Sequence, residues 1–302
     1  MSGFAAFRLF RHQAQTMPHW QTSRYRIDLK RAQVMGIVNI TPDSFSDGGR
    51  YAVGRAALAH CEELILQGAD ILDLGAESTR PGAKPLPLGQ ELDRLLPVLR
   101  EAVKLGVPVS VDTYKPSVMQ AALDLGADII NDVWALRWVD PAGGRAASSV
   151  VSEHPACGVC LMHMHGDPQT MQTAPMQGDI VQAVRDFLSQ AAKALMAQGV
   201  REERICIDPG IGFGKTVAQN FSLLAQQSAL LEPGFALLAG WSRKSSLGVV
   251  TGASADDRVV ASAVAAILAV QNGASVVRVH DVKATVQALR VLSAAQATPK
   301  AA

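Results

Sequence analysis

Eight short apolar runs, most of them closed by a polar or charged residue, constrain the fold of this chain more than any other feature. They occupy 34–39, 71–77, 107–112, 129–131, 158–163, 205–208, 235–240 and 276–280. Rich in Val, Ile and Leu and without polar alternation, they have the pattern of strands buried on both faces. Stretches of helical period separate most of them, clearest at 55–67, 91–105, 117–125, 180–198 and 256–272. Strands alternating with helices build a parallel sheet. One junction recurs: Gly68-Ala69-Asp70, Gly126-Ala127-Asp128 and Gly273-Ala274-Ser275 each precede a strand. Glycine there allows the left-handed helix C-cap from which the chain turns into the next strand. An α/β fold, a (β/α)8 TIM barrel in a single domain, is therefore expected. An open doubly wound sheet is the alternative, but the glycine fingerprint of dinucleotide binding is missing after the first strand.

The barrel is drawn at 23–294, with a flexible N-terminal tail at 1–22 and a C-terminal tail at 295–302. The segment 140–155, with Gly143, Gly144, Ser148 and Ser149, reads as an irregular excursion after the fourth strand. Of the 302 residues, 48% are hydrophobic and 18% charged, enough apolar material for a large core. A formal charge of +1 gives no field directed at nucleic acid or a membrane surface, and no segment has the length and purity of a transmembrane helix. The four cysteines sit in apolar surroundings, and Cys157-Gly158-Val159-Cys160 lacks the second pair that would complete a zinc site. Buried thiols suit the reducing cytoplasm.

Position carries the functional signal. Asn39, Glu77, Asp112, Asn131, His163, Asp208, Arg278 and His280 end the strand runs, and Ser242-Arg243-Lys244-Ser245 follows the seventh. In a parallel barrel these ends form one mouth. Each has a plain structural reading: Asp112, Asn131 and Asp132 as caps, Asp208-Pro209-Gly210 as a turn, Arg278 as an ion-pair partner. His163 and His165 are expected to pack or bond backbone rather than hold metal. Those readings leave unexplained why so many polar groups end core strands at one side, because a buried carboxylate costs several kcal/mol unless paired. A ligand that donates hydrogen bonds would pair it. Gly210-Ile211-Gly212-Phe213-Gly214-Lys215-Thr216 imitates a phosphate-binding loop, but Pro209 stands where its first glycine belongs. Thr79-Arg80-Pro81, an arginine beside a hydroxyl at the mouth, suits phosphate.

The motifs together resemble the dihydropteroate synthases. The matching blocks are Met35-Gly36-Ile37-Val38-Asn39-Ile40-Thr41-Pro42-Asp43-Ser44-Phe45-Ser46-Asp47-Gly48-Gly49, Glu77-Ser78-Thr79-Arg80-Pro81-Gly82, Ser110-Val111-Asp112-Thr113, Ile130-Asn131-Asp132-Val133, Asp208-Pro209-Gly210, Gly212-Phe213-Gly214-Lys215, Ser242-Arg243-Lys244-Ser245 and Arg278-Val279-His280-Asp281-Val282. The resemblance implies joining of p-aminobenzoate to 6-hydroxymethyl-7,8-dihydropterin diphosphate, with release of diphosphate. It implies that Asp112, Asn131, Asp208 and Lys244 hold the pterin and that Arg278 flanks its ring. It puts Thr79, Arg80, Arg278 and His280 near the diphosphate and Asn39 on its Mg2+. Phe213, Lys244, Ser245 and Pro81 would border p-aminobenzoate, with Phe45, Ser46 and Asp47 closing over it. Asp112, Lys244, Arg278 and Asp47 are the catalytic candidates, Mg2+ the implied cofactor, and a homodimer the implied assembly. Ala76, Ile211, His165 and Trp241 depart from the family pattern without replacing an implied ligand. Two rivals share part of the pattern. A pterin-binding methyltransferase barrel should lack the first loop, the Ser-Arg-Lys-Ser run and the Arg-Val-His-Asp run together. The other is a barrel that binds pterin without turnover.

Overall fold

The computed structural model describes residues 19–40, 49–79, 82–140, 143–167, 171, 176–231 and 234–297, with residues 49–52 by their backbone only. A hairpin of β1 (His19–Gln21) and β2 (Arg26–Asp28) comes first. The alternating part follows as β3 (Gln33–Asn39), α1 (Gly49–Leu66), β4 (Ile71–Gly75), α2 (Leu88–Ala102), β5 (Val109–Asp112) and α3 (Pro116–Asp124). It continues as β6 (Ile129–Asp132), α4 (Ala147–Glu153), β7 (Gly158–Met162), α5 (Ile180–Met196), β8 (Ile205–Asp208) and α6 (Val217–Ala225). The last elements are β9 (Ala236–Ala239), α7 (Ser245–Thr251), α8 (Val259–Gln271), β10 (Val276–Val279) and α9 (Val282–Ala297). Strands β3 to β10 pair in parallel and in sequence order, and β10 closes on β3. The (β/α)8 barrel expected from the sequence is what forms. Within the excursion at 140–155 lies the short helix α4, and the helical stretch drawn at 256–272 is a 3-10 turn, Ala255–Asp257, followed by α8. No helix among the described residues is long and apolar enough to cross a membrane.

The repeated junction turns through the same backbone conformation each time. Gly68, Gly126 and Gly273 have φ of 101°, 94° and 99°, the left-handed region open to glycine. The aspartates that follow turn back onto the preceding strands. Asp70 accepts the Val34 amide at 2.9 Å, and Asp128 accepts the Val109 amide at 2.9 Å. Arg31 and Arg24 each grip the corresponding carboxylate through two nitrogens. Strand-entry amides that would otherwise lack a partner are thereby satisfied.

Two boundaries move outward from the sequence reading. The sequence reading puts His19 to Thr22 in the N-terminal tail, yet Trp20 and Thr22 are fully buried. Trp20, Ile27 and Leu29 of the hairpin pack on Met35, Ile71, Ile129 and other residues of the lower barrel interior, so β1–β2 is its floor. The Trp20 indole N–H donates to the Arg204 carbonyl at 3.0 Å. At the other end α9 runs to Ala297, past the expected limit at 294. Residues 1–18 and 298–302 lie outside the described residues. Trp20→Ala should cost about 3–5 kcal/mol, the usual range for deleting a buried aromatic. Urea unfolding with an unchanged m-value checks it. All four cysteines are free and buried, with Cys160 and Cys206 in the lower barrel interior.

Candidate active site

Strand register assembles the upper end of the barrel. Asn39 pairs with Gly75, Gly75 with Asp112, and Asp112 with Asn131, so residues far apart in the sequence share one level of four adjacent strands. Asn39 is exposed at the end of β3. Gly75 lies directly beside Asp112: a Cβ there would make ordinary contact with the Asp112 Cβ at 3.6 Å.

Arg278, from β10, ties two aspartates together. Its Nε donates to Asp73 Oδ2 at 2.6 Å and its Nη2 to Asp112 Oδ2 at 2.7 Å. Asn131 Nδ2 donates to the same Asp73 oxygen at 3.3 Å. The ion-pair reading of Arg278 is therefore correct, and it does not exclude a ligand role. Asp112 Oδ1 is buried and has no hydrogen-bond partner. Burial pushes the Asp112 carboxyl up to about 7; Arg278 opposes that shift, while Asp73, Asp132 and Glu91 reinforce it. Asp73 was missed. It lies inside the run 71–77, and the sequence reading took the polar residue nearest the end, Glu77, as that strand's contribution. The structure corrects this: β4 stops at Gly75, and Glu77 turns away to bond Tyr114 and Lys115. A carboxylate amid Ile71, Leu72 and Leu74 was the available signal.

Asp208 ends β8 and is buried. Its Oδ1 accepts the Gly210 amide at 2.7 Å. Burial raises the Asp208 carboxyl above its usual range, opposed by that amide and by Lys244, Lys215 and Arg278. The loop beyond it demands glycine. A Cβ on Gly210, at φ 67°, would lie 1.9 Å from the His163 carbonyl oxygen. Lys215 holds this turn from inside, donating to the carbonyls of His163, Gly210 and Phe213 at 3.2, 2.8 and 3.1 Å. Its ammonium is thus turned onto backbone rather than outward; burial brings its pKa down to about 7. His163 is packed, as the sequence suggested: its ring meets Phe187 edge-on at 4.9 Å, and burial holds it neutral, with a pKa lowered to about 3.

The Ser242–Ser245 turn is braced on the last strand's exit. Arg243 adopts φ 57°, unusual for a residue with a Cβ. Its guanidinium grips Asp281 at 3.0 and 2.7 Å, its amide donates to Ser262 Oγ, and its carbonyl accepts from Arg258. Ser242 Oγ meets the backbone amide and ring Nδ1 of His280 at 3.1 and 3.0 Å. So supported, Lys244 sits with Nζ 4.4 Å from the centre of the Phe213 ring and within the electrostatic reach of Asp208. Ser245 is exposed as the first residue of α7. Thr79 is half-buried after β4. Asp47, Phe45, Ser46, Arg80 and Pro81 lie outside the described residues.

The base of the mouth, at the upper end of the barrel, therefore offers acceptors at Asp112 and Asp208, a donor–acceptor amide at Asn131, and cations at Arg278 and Lys244. That set recognises a flat heterocycle with several N–H groups, beside an anion. Comparison with known proteins agrees. Residues 35–280 match the family model described as pterin binding enzyme. The dihydropteroate synthase of Neisseria meningitidis serogroup B is 47% identical over 281 residues, covering 91% of this chain and 96% of that protein. The Xanthomonas albilineans dihydropteroate synthase structure with 4-aminobenzoic acid has a TM-score of 0.83 at 47% identity, covering 91% and 96% of the two chains. The Burkholderia cenocepacia dihydropteroate synthase complexed with 7,8-dihydropteroate also has a TM-score of 0.83 at 47% identity, covering 92% and 96%.

Proposed function

The chain belongs to the dihydropteroate synthases of the pterin-binding enzyme family, and from that premise we propose how its barrel mouth performs the reaction. The enzyme condenses p-aminobenzoate with (7,8-dihydropterin-6-yl)methyl diphosphate, giving 7,8-dihydropteroate and diphosphate. The observation that carries the site reading is the buried, unpartnered Asp112 Oδ1 at the same end of the barrel as Asp208. The pterin's amino and ring N–H groups supply what these carboxylates lack. Asp208 uses the oxygen left free by Gly210, and Asn131 completes the edge. Arg278 lies against the ring, and Lys244 stands between pterin and amine, backed by Phe213. In the transfer, the bond from the pterin methylene carbon to the diphosphate oxygen breaks. The amine nitrogen bonds that carbon and then loses a proton. A neutral aromatic amine needs placement more than a strong base, so the work falls on positioning and on charge stabilisation.

Around the leaving group we place Thr79, Arg80, Arg278 and His280. Ser245 and Pro81 border the amine. We assign Phe45, Ser46 and Asp47 to the same subsite, as the family resemblance implies, where they would help to exclude water. Mg2+ is assigned to Asn39, whose exposed amide would join diphosphate and water oxygens in the all-oxygen shell this ion takes. Among the described residues no three His, Cys, Asp or Glu side chains gather to cage an ion; the diphosphate oxygens would serve as its anionic ligands. Bound there, the ion would neutralise charge on the departing diphosphate. Product identity tests the reading: 7,8-dihydropteroate, followed by mass spectrometry, should appear mole for mole with diphosphate. Dihydropterin alcohol appearing instead would mean that water, not the amine, is the acceptor.

We propose a homodimer through α7, α8 and α9. Val260, Val264 and Leu268, spaced by four on α8, are 76%, 50% and 42% exposed, with Val249 and Val250 on α7 and Val291 on α9 also exposed. Apolar stripes of this extent are normally covered. Val264→Glu combined with Leu268→Glu should halve the mass in sedimentation velocity; an unchanged mass places the interface elsewhere. The cytoplasm is the compartment we propose, in keeping with four free thiols.

A further inference from the structure

A second charged cluster centres on Lys115; of its members only Glu91 has entered so far, through its field at Asp112. Lys115, between β5 and α3, is 9% exposed at its side chain. Its ammonium donates to Glu91 Oε2 at 2.5 Å, to the Leu86 carbonyl at 2.7 Å and to the Glu77 carboxylate. Both carboxylates are bonded again by the residues preceding the lysine. The Tyr114 hydroxyl donates to Glu77 at 2.8 Å, and the Thr113 hydroxyl to Glu91 at 2.7 Å. Burial raises the Glu91 carboxyl, and Lys115 opposes it. If joining α2 to α3 were the whole purpose, apolar side chains of similar volume would serve as well or better.

What the ammonium touches suggests another purpose. Glu77 and Leu86 are the two stems of the loop after β4, the loop that carries Thr79, and Glu91 is in the first turn of the helix that loop leads into. All three are drawn to a residue three positions beyond Asp112. Thr113, next to Asp112, is itself fixed by donating its amide to the Asn131 carbonyl at 3.1 Å. The tether therefore runs from the base of the mouth to both ends of the neighbouring loop.

We propose that Lys115 is a positioning residue that holds the Thr79 loop in register with Asp112, and so sets the diphosphate and p-aminobenzoate subsites without acting on the pterin ring. The inference rests on the transferase reading above. Lys115→Met and Glu77→Gln test it, the second keeping the shape and the Tyr114 acceptor while removing one charge. In each, kcat/KM for p-aminobenzoate should fall about 100-fold, the effect of a misplaced reacting group. The Kd for 6-hydroxymethyl-7,8-dihydropterin without its diphosphate, by calorimetry, should stay within about threefold of wild type, because Lys115 and Glu77 bond to loop and helix groups rather than to the Asp112, Asn131 or Asp208 side chains. Equal losses in both quantities, or no loss in kcat/KM, overturn the proposal. If Lys115→Met does not fold, Glu77→Gln alone decides. Absence of turnover in the wild-type enzyme would instead sink the transferase reading on which this one stands.

Discussion

Asp208→Ala should abolish detectable pterin binding while the barrel remains folded. The carboxylate is buried, and among the described residues one backbone amide, that of Gly210, bonds it directly. Its raised pKa reports that the site disfavours the charge until a donor arrives. Pterin N–H groups would be those donors, and charge-assisted bonds of this kind contribute about 1.5–3 kcal/mol each. Losing two weakens binding by roughly 100-fold or more. Removing the carboxylate should leave the barrel folded, because a buried charge that the site on balance disfavours leaves with it. The sign with pH follows. A carboxyl whose folded pKa lies above its unfolded value binds more protons when folded, so its charge weighs against the fold as pH rises through that window. Wild-type apoenzyme should thus lose relative stability as pH rises from the ordinary carboxylate range, and Asp208→Ala should lose less. Calorimetry with the pterin and urea melts at two pH values measure both. Unchanged pterin affinity would remove Asp208 from the site.

Arg278→Met has the larger consequence for stability. Arg278 is the direct cationic partner of both Asp73 and Asp112. Without it Asp73 and Asp112 lose the one cation that, among the described residues, forms a salt bridge to either. Breaking a buried pair by removing one partner typically costs 3–5 kcal/mol, and about that much is expected here at pH 8. Loss of the positive charge should raise the folded pKa of Asp112 above its present value of about 7. The deficit should therefore be greatest above that pH and shrink as pH falls toward 5, where the folded state can take up the proton. Urea unfolding of variant and wild type at pH 5 and pH 8 reads this directly. A deficit of equal size at both would mean that packing, not charge, sets the cost. Turnover should be lost as well, because the same guanidinium is assigned to the ring and the diphosphate.

How legible this was in the sequence depended on position within the strands. Asp112, Asn131 and Asp208 are the last or next-to-last residues of β5, β6 and β8, so one rule about strand ends found them all. Asp73 escaped that rule because it sits two residues before the end of β4, surrounded by apolar neighbours. Burial of a charge, which the sequence alone does not display, was the quantity that mattered. Lys115 was invisible for a related reason: Glu77, Leu86 and Glu91 come together around it only after α2 has packed. The floor hairpin was hidden by its size, since three-residue strands show no period and Trp20 is a single apolar residue. Conversely, Gly68, Gly126 and Gly273 were read correctly because a left-handed C-cap is a local property of the chain.

The most direct test of the account is diphosphate release by the purified protein with Mg2+, measured with both substrates and with each omitted in turn. Release that requires p-aminobenzoate as well as the pterin diphosphate, and that saturates in both, is the result expected of the barrel mouth described above. Folded protein that released no diphosphate with both present, or released it equally well without p-aminobenzoate, would contradict the assignment.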